Sequence, residues 1–202
     1  MCRRDYHALL NETSHVCVAR GAVGQGCAIV IRMLTIRPAT ESDCSEILAL
    51  IRELAEYEQL AHTVVATEDQ LREHLFGTRR TAEALIAEWA GQVAGFALYF
   101  HNFSTFVGKP GLYVEDVYVR PAYRRKGIGL TLFKQLAAIA VKRDCGRMEW
   151  SVLDWNTPAI EFYQSLGAVA MSEWTVQRLT GEALHQLAEG AVGKHNRDET
   201  SE

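Results

Sequence analysis

The stretch from Leu112 to Val141 constrains the fold most, because it reads as a strand, a glycine-containing loop and a helix in direct succession. The loop, residues 124–129, has the sequence RRKGIG, with two glycines and three cations. The glycines allow the backbone to come close to a ligand, and the helix start offers free N–H groups and the positive end of its dipole. The pattern predicts a binding site for a pyrophosphate group.

Two other phosphate-binding motifs do not fit this loop. A P-loop requires GxxxxGK[ST], which is absent, and a dinucleotide-binding turn requires GxGxxG, whereas the loop contains a single G-x-G. Taken alone, the loop has two simpler interpretations, a solvated glycine-rich turn and a basic surface patch. No nucleic acid partner is expected, because three cations are too few in a chain whose net charge is −4.

Composition excludes several other classes of protein. The 202 residues suffice for one domain with a substantial core. The five cysteines are odd in number and lack a CxxC spacing, and no HExxH occurs, so neither a disulfide framework nor a metal site is expected. We therefore expect a cytoplasmic protein whose cysteines are reduced. Because no apolar run reaches the ~18 residues of a membrane span, we expect no membrane association.

The chain divides into three parts by composition. Residues 1–32 hold three of the five cysteines without sustained periodicity, and we interpret them as a flexible or non-native N-terminal extension. An alternating strand that opens after Met33 marks the start of one folded domain, residues 33–188. Residues 189–202 are polar and charged, which is typical of a disordered tail.

Periodicity and turn residues predict the order of elements within the domain. The first predicted elements are a strand over 34–40, helices over 40–60 and 67–76, strands over 84–89 and 93–100 joined by a tight turn, and a loop over 101–111. The strand and helix of the opening stretch follow, with the helix ending near 142. The last predicted elements are a strand over 147–153, a helix over 159–166 capped by Thr157, a strand over 174–179 and a final helical turn over 181–188. This order predicts an α/β fold with a mixed central sheet and helices on both faces.

The loop motif Arg-x-x-Gly-x-Gly after Val-Tyr-Val, together with this element order, resembles the Gcn5-related N-acetyltransferase (GNAT) superfamily. Four further stretches resemble its diamine (spermidine/spermine) and thialysine acetyltransferases. They are IRPAT at 36–40, IRELAEYE at 51–58, YVEDVYV at 113–119, and LDWN at 153–156 followed by Phe162 and Tyr163. The resemblance covers residues 33–188 and implies the GNAT fold.

The resemblance also implies a donor, an acceptor and the residues that hold them. The donor is acetyl-CoA, no metal takes part, the acceptor is the primary amine of a small cationic molecule, and the protein is a homodimer. The implied cofactor-binding residues are Val117, Tyr118, Val119, Arg124, Arg125, Lys126, Gly127, Ile128, Gly129, Leu130, Asn156, Thr157, Pro158 and Ala159. The implied substrate-binding residues are Tyr57, Glu58, Glu115, Glu149, Trp150 and Ser151.

Two residues fall on the family's catalytic positions. Tyr163 falls on the proton donor to the departing thiolate, at the spacing Asn-x-Pro-x-x-x-x-Tyr, and Glu115 falls on the residue that activates the amine. Only the neutral amine attacks a thioester, and an alkylammonium has a pKa near ~10.4, so a base is needed. Because Glu115 and Val117 are two residues apart on a strand, we expect both side chains on one face. The simpler alternatives are a solvated strand glutamate and an amphipathic core tyrosine. We interpret Cys145, at a predicted helix end, as structural.

Acidic residues near the predicted amine site suggest selection for a cation. Glu53, Glu56 and Glu58 lie near one helix end, and Glu115 and Asp116 lie on the central strand. A shared pocket would attract a cationic amine, whereas Glu53 and Glu56 could equally form a solvated helix face.

Two rival functions remain at this stage, acetylation of a protein lysine or N-terminus and a non-catalytic acyl-CoA-binding module.

Overall fold

A five-stranded sheet in the order β1-β2-β3-β4-β5 forms the centre of the fold. Strands β1 to β4 pair antiparallel, and β5 pairs parallel with β4. The strands are β1 (Leu34–Pro38), β2 (Glu83–Trp89), β3 (Gln92–Ser104), β4 (Lys109–Val119) and β5 (Arg147–Trp150). The mixed sheet predicted from the sequence is therefore confirmed.

The computed structural model describes residues 33–190, so the predictions made for residues 1–32 and 191–202 lie outside the described residues. The chain divides into two units, one ending at Ser151 and one beginning at Val152, which are described separately. The first unit holds the sheet, α1 (Cys44–Tyr57), α2 (Glu68–Phe76) and α3 (Ile128–Lys142), and the second holds α4 (Thr157–Ser165) and α5 (Gly181–Ala188). Among the helices within 33–190, none has both the length and the apolar character to cross a membrane.

Helices of the first unit cover both faces of the sheet, as predicted. On one face, Ile128, Leu132 and Leu136 of α3 pack against strand residues such as Leu85 and Leu112. On the opposite face, a second cluster joins α1 and α2 to the sheet. Its members include Ile47, Leu50, Leu75, Ile86 and Phe96. Two separate apolar clusters therefore hold the sheet between helices.

Local sequence signals set most of the element boundaries. Thr67 caps α2, since its hydroxyl accepts a hydrogen bond from the Gln70 amide at 3.3 Å, and Gly77 ends that helix. The tight turn between β2 and β3 holds Ala90 and Gly91 at φ 50° and 80°, the conformation of a two-residue hairpin turn. Both features agree with the sequence predictions.

The loop predicted over 101–111 is wrong, because β3 and β4 continue through it. His101 to Ser104 pair in register with Leu112 to Lys109, so only residues 105–108 form the loop. Glycine and proline suggested irregular chain there. Cross-strand packing, such as the contact of the Phe100 and Tyr113 rings at 5.1 Å, extends the ladder instead.

The strand predicted over 174–179 is also wrong, since the structure assigns no strand to this segment. Trp174 and Val176 are 71% and 78% exposed, so the alternation of the sequence has no buried face. Alternation shows only that a segment could form a strand, and the ladder requires a neighbour with complementary register. The final helix over 181–188 is present as predicted.

An ion-pair cluster joins β1 to the chain entering α1. Arg37 donates to both carboxylate oxygens of Asp43 at 2.7 and 2.8 Å, and its Nε donates to Glu88 at 2.7 Å. Asp43 also accepts hydrogen bonds from the Thr40 amide and hydroxyl. The hydrogen bonds from Arg37 are the main cause that lowers the pKa of Asp43 to about 2.

We predict that Asp43→Asn destabilises the protein by about 2 kcal/mol at neutral pH. Because the pKa of Asp43 lies below its usual 3.8 in the folded state, this stabilisation is present above pH ~4 and is lost as the pH falls towards ~2. Urea unfolding of wild type and variant across that range measures it. Glu41→Gln is the matched control, since Glu41 is a largely exposed acid 3.4 Å from Arg72 and its loss should change little. A difference that stays constant at acid pH would contradict the assignment.

Candidate active site

Strand β4 contains a bulge at Glu115. Val114 lies opposite Tyr99 and Asp116 lies opposite Leu98, so Glu115 is an extra residue without a cross-strand partner. Bulges occur frequently beside active sites, where they redirect side chains. Glu115 is exposed. The bulge therefore presents a carboxylate to solvent from within an otherwise apolar strand.

The bulge interrupts the alternation of side chains in β4. Val114 belongs to the apolar cluster beneath α3, and Val117, three residues later, packs against the same cluster. In an unbroken strand these two side chains would point to opposite faces. The argument that Glu115 and Val117 share a face because they are two residues apart therefore does not hold across the bulge.

Three carboxylates lie close enough at this point of the sheet to interact electrostatically. Burial, with further contributions from the negative charges of Glu115 and Glu58, raises the pKa of Asp116 to about 6. Glu58 is the residue that ends α1, and partial burial raises its pKa too. We call Glu58, Glu115 and Asp116 the carboxylate cluster. Asp116 was not among the predicted site residues, although an acid pair within an apolar strand was a signal for it.

Glu53 belongs to a different arrangement from the carboxylate cluster. Arg120, the residue after β4, donates to Glu53 at 2.7 Å and pairs with Glu46 at 2.8 Å, both on α1. Glu53 is thus neither a solvated helix residue nor part of the cluster. Glu56 is exposed, as its simpler interpretation predicted. The ion pairs of Arg120 join the end of β4 to α1.

The predicted phosphate loop has the backbone of an anion site. Gly127 precedes α3 at φ 76° and Arg125 lies at φ 61°, both in the left-handed region. Thr131 donates to the Gly127 carbonyl at 3.0 Å, which is the first bond of the helix. The amides of Ile128, Gly129 and Leu130 precede that bond and are the N–H groups available to an anion. Ile128 is buried in the core and fixes the helix start.

The cations of the loop lie over aromatic rings. The Arg124 guanidinium lies 4.8 Å from the centre of the Tyr57 ring, and the Lys126 ammonium lies 4.9 Å from that of Trp89. Arg124 also donates from Nε to the Val119 carbonyl at 3.0 Å. Arg124 therefore brings the phosphate loop next to the end of α1, where Tyr57 and Glu58 are located. Arg125 is exposed.

Several other predicted site residues have structural contacts. Tyr118 is buried in the core cluster of α1, so only its backbone is open to a cofactor. Glu149 accepts from Asn102 at 3.0 Å and pairs with Arg147 at 2.8 Å. Trp150 packs edge-on against Phe133 at 5.0 Å, and the Ser151 hydroxyl lies 2.9 Å from that of Tyr113. The predicted role of Tyr118 in cofactor binding, and those of the other three residues in substrate binding, remain predictions.

The remaining predicted site residues lie in the second unit. Asn156, rather than Thr157, is the N-cap of α4, because its side-chain oxygen accepts from the Ala159 amide at 3.4 Å. Thr157 is the first residue of the helix and Pro158 follows it, where its missing N–H costs nothing. Tyr163 lies on α4 beside Phe162, with ring centres 5.5 Å apart. The spacing from Asn156 to Tyr163 is thus that of a helix cap and a residue in the second turn of the helix.

The geometry of the first unit suits an ammonium and a phosphate side by side. The carboxylate cluster attracts cations, and the loop with its amides and arginines attracts anions. Within residues 33–190, no group of three or more histidines, cysteines or acids is placed to hold a metal ion. The arrangement can therefore bring an amine next to a phosphate-bearing cofactor.

Comparisons with known proteins agree with this geometry. Residues 47–168, more than half of the chain, match the sequence model of the acetyltransferase (GNAT) family. Among curated proteins, a thialysine N-epsilon-acetyltransferase of Bos taurus is 41% identical over 164 residues, covering 76% of this chain and 96% of its own. An L-ornithine N5-acetyltransferase of Arabidopsis thaliana is 34% identical over 197 residues, covering 75% and 86%.

Solved structures give the same result at the level of the fold. An integron cassette protein from the mobile metagenome of V. cholerae superposes with a TM-score of 0.66 and 30% identity, covering 78% of this chain and 98% of its own. The predicted family and fold are both confirmed. The chain belongs to the acetyltransferase (GNAT) family and is an N-acetyltransferase.

Proposed function

We propose that the protein transfers the acetyl group of acetyl-CoA to the terminal primary amine of a small cationic molecule, a diamine, polyamine or lysine analogue. The observation that carries this proposal is the carboxylate cluster beside the phosphate loop. After burial, which is the largest cause, the charges of Glu115 and Glu58 contribute to the raised pKa of Asp116. The three interacting carboxylates would concentrate negative charge where a cationic amine binds.

The residues of the loop fit acetyl-CoA. The amides of Ile128, Gly129 and Leu130 and the side chains of Arg124, Arg125 and Lys126 supply donors and positive charge for its pyrophosphate. Beyond Val114, no strand within 33–190 pairs with the β5 side of β4. The pantetheine arm would hydrogen-bond there, to the backbone of Val117 and Val119, as an added strand does. Bound acetyl-CoA supplies an activated thioester.

Glu115 and Tyr163 divide the proton transfers between them. Glu115 takes a proton from the bound ammonium, directly or through water, so that the neutral nitrogen attacks the thioester carbon. The new C–N bond forms as the C–S bond breaks, and the Tyr163 hydroxyl donates its proton to the departing thiolate. The role of Tyr163 rests on its place in the Asn156-Pro158-Tyr163 motif. No covalent enzyme intermediate is needed.

The named relatives favour the terminal amine of an amino acid as acceptor. One acts on thialysine and one on L-ornithine, and each substrate carries a terminal ammonium on a short chain. Polyamines share that group. The homodimer implied by the family resemblance remains a prediction.

A matched pair of amines tests the substrate class. L-Ornithine and 5-aminopentanoate have the same chain and terminal amine, but only ornithine carries the α-ammonium that offsets its carboxylate. We predict that kcat/KM is at least roughly tenfold lower for 5-aminopentanoate, because the carboxylate cluster attracts a zwitterion of zero net charge less strongly than the monocation ornithine. Spermidine and thialysine belong in the same assay, read as release of free CoA thiol. Equal rates for the matched pair would contradict the proposed selection by charge.

Replacement of Asp116 should separate function from stability. Because the pKa of Asp116 is raised from 3.8 to about 6, the ionised form destabilises the folded state, and this cost appears as the pH rises from ~4 through ~6. Asp116→Asn should therefore increase the free energy of unfolding at neutral pH by on the order of 1–3 kcal/mol. The same variant should raise KM for the amine roughly tenfold, since one negative charge is lost.

The pH dependence distinguishes Asp116 from Glu115. In wild type, KM for the amine should rise as the pH falls through ~6 and Asp116 becomes neutral, whereas Asp116→Asn should lack that rise. Glu115→Gln should instead lower kcat by about 10²-fold or more where the base is ionised, and should flatten the rise of kcat with pH. If Asp116→Asn kept the wild-type pH profile, Asp116 would not be the titrating group.

Tyr163→Phe should lower kcat by about 10²-fold while the Kd for acetyl-CoA stays within twofold or so of wild type, because only the proton to the thiolate is lost. Single-turnover kinetics and equilibrium binding measure the two quantities. Phe162→Leu, at the neighbouring ring, is a control for packing. Unchanged turnover in Tyr163→Phe would refute the proton-donor role.

A further inference from the structure

A cavity of about 280 Å³ lies at the C-terminal end of α3, on the first unit of the chain. It occupies the space where β1 ends at Pro38 while β2 extends further, to Glu83. The C-terminal end of α2 and residues 135–143, which form the end of α3 and its C-cap, close its sides. This volume is close to the lower end of the range of small-ligand sites, about 300–1,000 Å³.

The cavity shares no residue with the predicted acetyl-CoA and amine sites. The phosphate loop precedes α3, whereas the cavity begins more than one helical turn after Leu130. At 1.5 Å per residue, Gly129 and Lys142 are separated by about 20 Å along the helix axis. A ligand in the cavity would therefore leave the phosphate loop accessible.

The floor and the rim of the cavity differ in character. Leu75, Phe76, Leu85 and Ile139 contribute apolar surface. The charged lining consists of Arg80, Lys142 and Arg143 against Glu83, a formal excess of two positive charges in a chain whose net charge is −4. Such a combination is complementary to an apolar body that carries an anionic head.

Glu83 is already counted in this excess, and its carboxylate is held by neighbouring side chains. Arg143 binds both of its carboxylate oxygens, through Nη1 and, at 2.8 Å, through Nη2. The Tyr99 hydroxyl donates to the same carboxylate at 3.3 Å. The ion pair fixes the Arg143 guanidinium at the cavity, while Arg80 and Lys142 are exposed at its rim.

We propose that this cavity is a second small-molecule site, which binds an amphipathic anion with a carboxylate or phosphate head and an apolar body of roughly ten heavy atoms, the size that such a volume accommodates. The apolar body lies against Leu75, Phe76 and Ile139, and the head lies towards Arg80 and Lys142. Binding is compatible with acetyl-CoA.

Isothermal titration of the full-length chain with octanoate and with octyl phosphate tests the site. We expect saturable binding of at least one of them, with Kd on the order of 0.1–1 mM for a ligand of this size, and the stronger ligand identifies the head group. 1-Octanol has the same body without the charge and should bind roughly tenfold more weakly. Acetyl-CoA at saturation should not displace the anion. Displacement, absence of saturable binding in the millimolar range, or equal affinity for octanol would overturn the proposal.

Two pairs of variants locate the binding. Ala138 is exposed and lines the cavity, and Ala137 is exposed on the same helix but does not line it. Ala138→Phe should fill the cavity and weaken octanoate binding at least about tenfold, whereas Ala137→Phe should leave it unchanged. Arg80→Ala should weaken binding roughly tenfold and Arg79→Ala should not. Each variant lies on the surface, and near-UV circular dichroism reports whether it is folded. Equal effects within either pair would overturn the assignment.

Discussion

The unpaired residue Glu115 in β4 determines which side chains reach each face of the sheet. With strict alternation from Val114, Asp116 and Tyr118 would lie in the apolar core beneath α3. The bulge shifts the register, so Val117 rejoins that core and Tyr118 packs with α1 on the other face. Two carboxylates are thereby placed at the point where the strand changes faces, beside Glu58. The fold of the central strand and the chemistry of the candidate site thus share one cause.

Two arginines that follow β4 connect this part of the strand to α1. Arg120 pairs with Glu46 and Glu53 on α1, and Arg124 lies over Tyr57 at the end of the same helix. Arg120 and Arg124 therefore attach the end of β4 and the phosphate loop to the same helix. The raised pKa of Asp116 predicts that its ionised form lowers stability at neutral pH, which is a typical cost of a functional site. The apolar clusters on both faces of the sheet offset that cost.

Local patterns were sufficient to predict the parts of the fold that depend on local chemistry. The cap at Thr67, the end of α2 at Gly77 and the turn at Ala90 and Gly91 follow from the residues themselves. The family motif supplied the phosphate loop. Features that depend on long-range pairing were missed. The extension of β3 and β4 across 101–104 arises from cross-strand pairs, and the absence of a strand over 174–179 arises because alternation specifies no partner.

In the candidate site too, features that depend on long-range packing could not be predicted. Glu58 and Glu115 could be predicted to approach one another through the resemblance, but the burial of Asp116 and the pairing of Glu53 with Arg120 depend on how α1 packs on the sheet. The sequence of β4 does not show where a bulge lies. The faces of Glu115 and Val117 could therefore not be deduced by counting residues along the strand. The predicted cap of α4 was wrong by one residue, because both Asn156 and Thr157 can cap a helix and the sequence does not distinguish them.

The titration of Asp116 tests the central claim most directly. Carboxyl carbon chemical shifts of the full-length chain, followed against pH by NMR, give its pKa without any assumption about substrate. The structure predicts a value of about 6, which should decrease in Glu115→Gln and in Glu58→Gln because each removes a negative charge. An Asp116 that titrates near its usual 3.8, or whose pKa is unaffected by both variants, would contradict a shared carboxylate cluster.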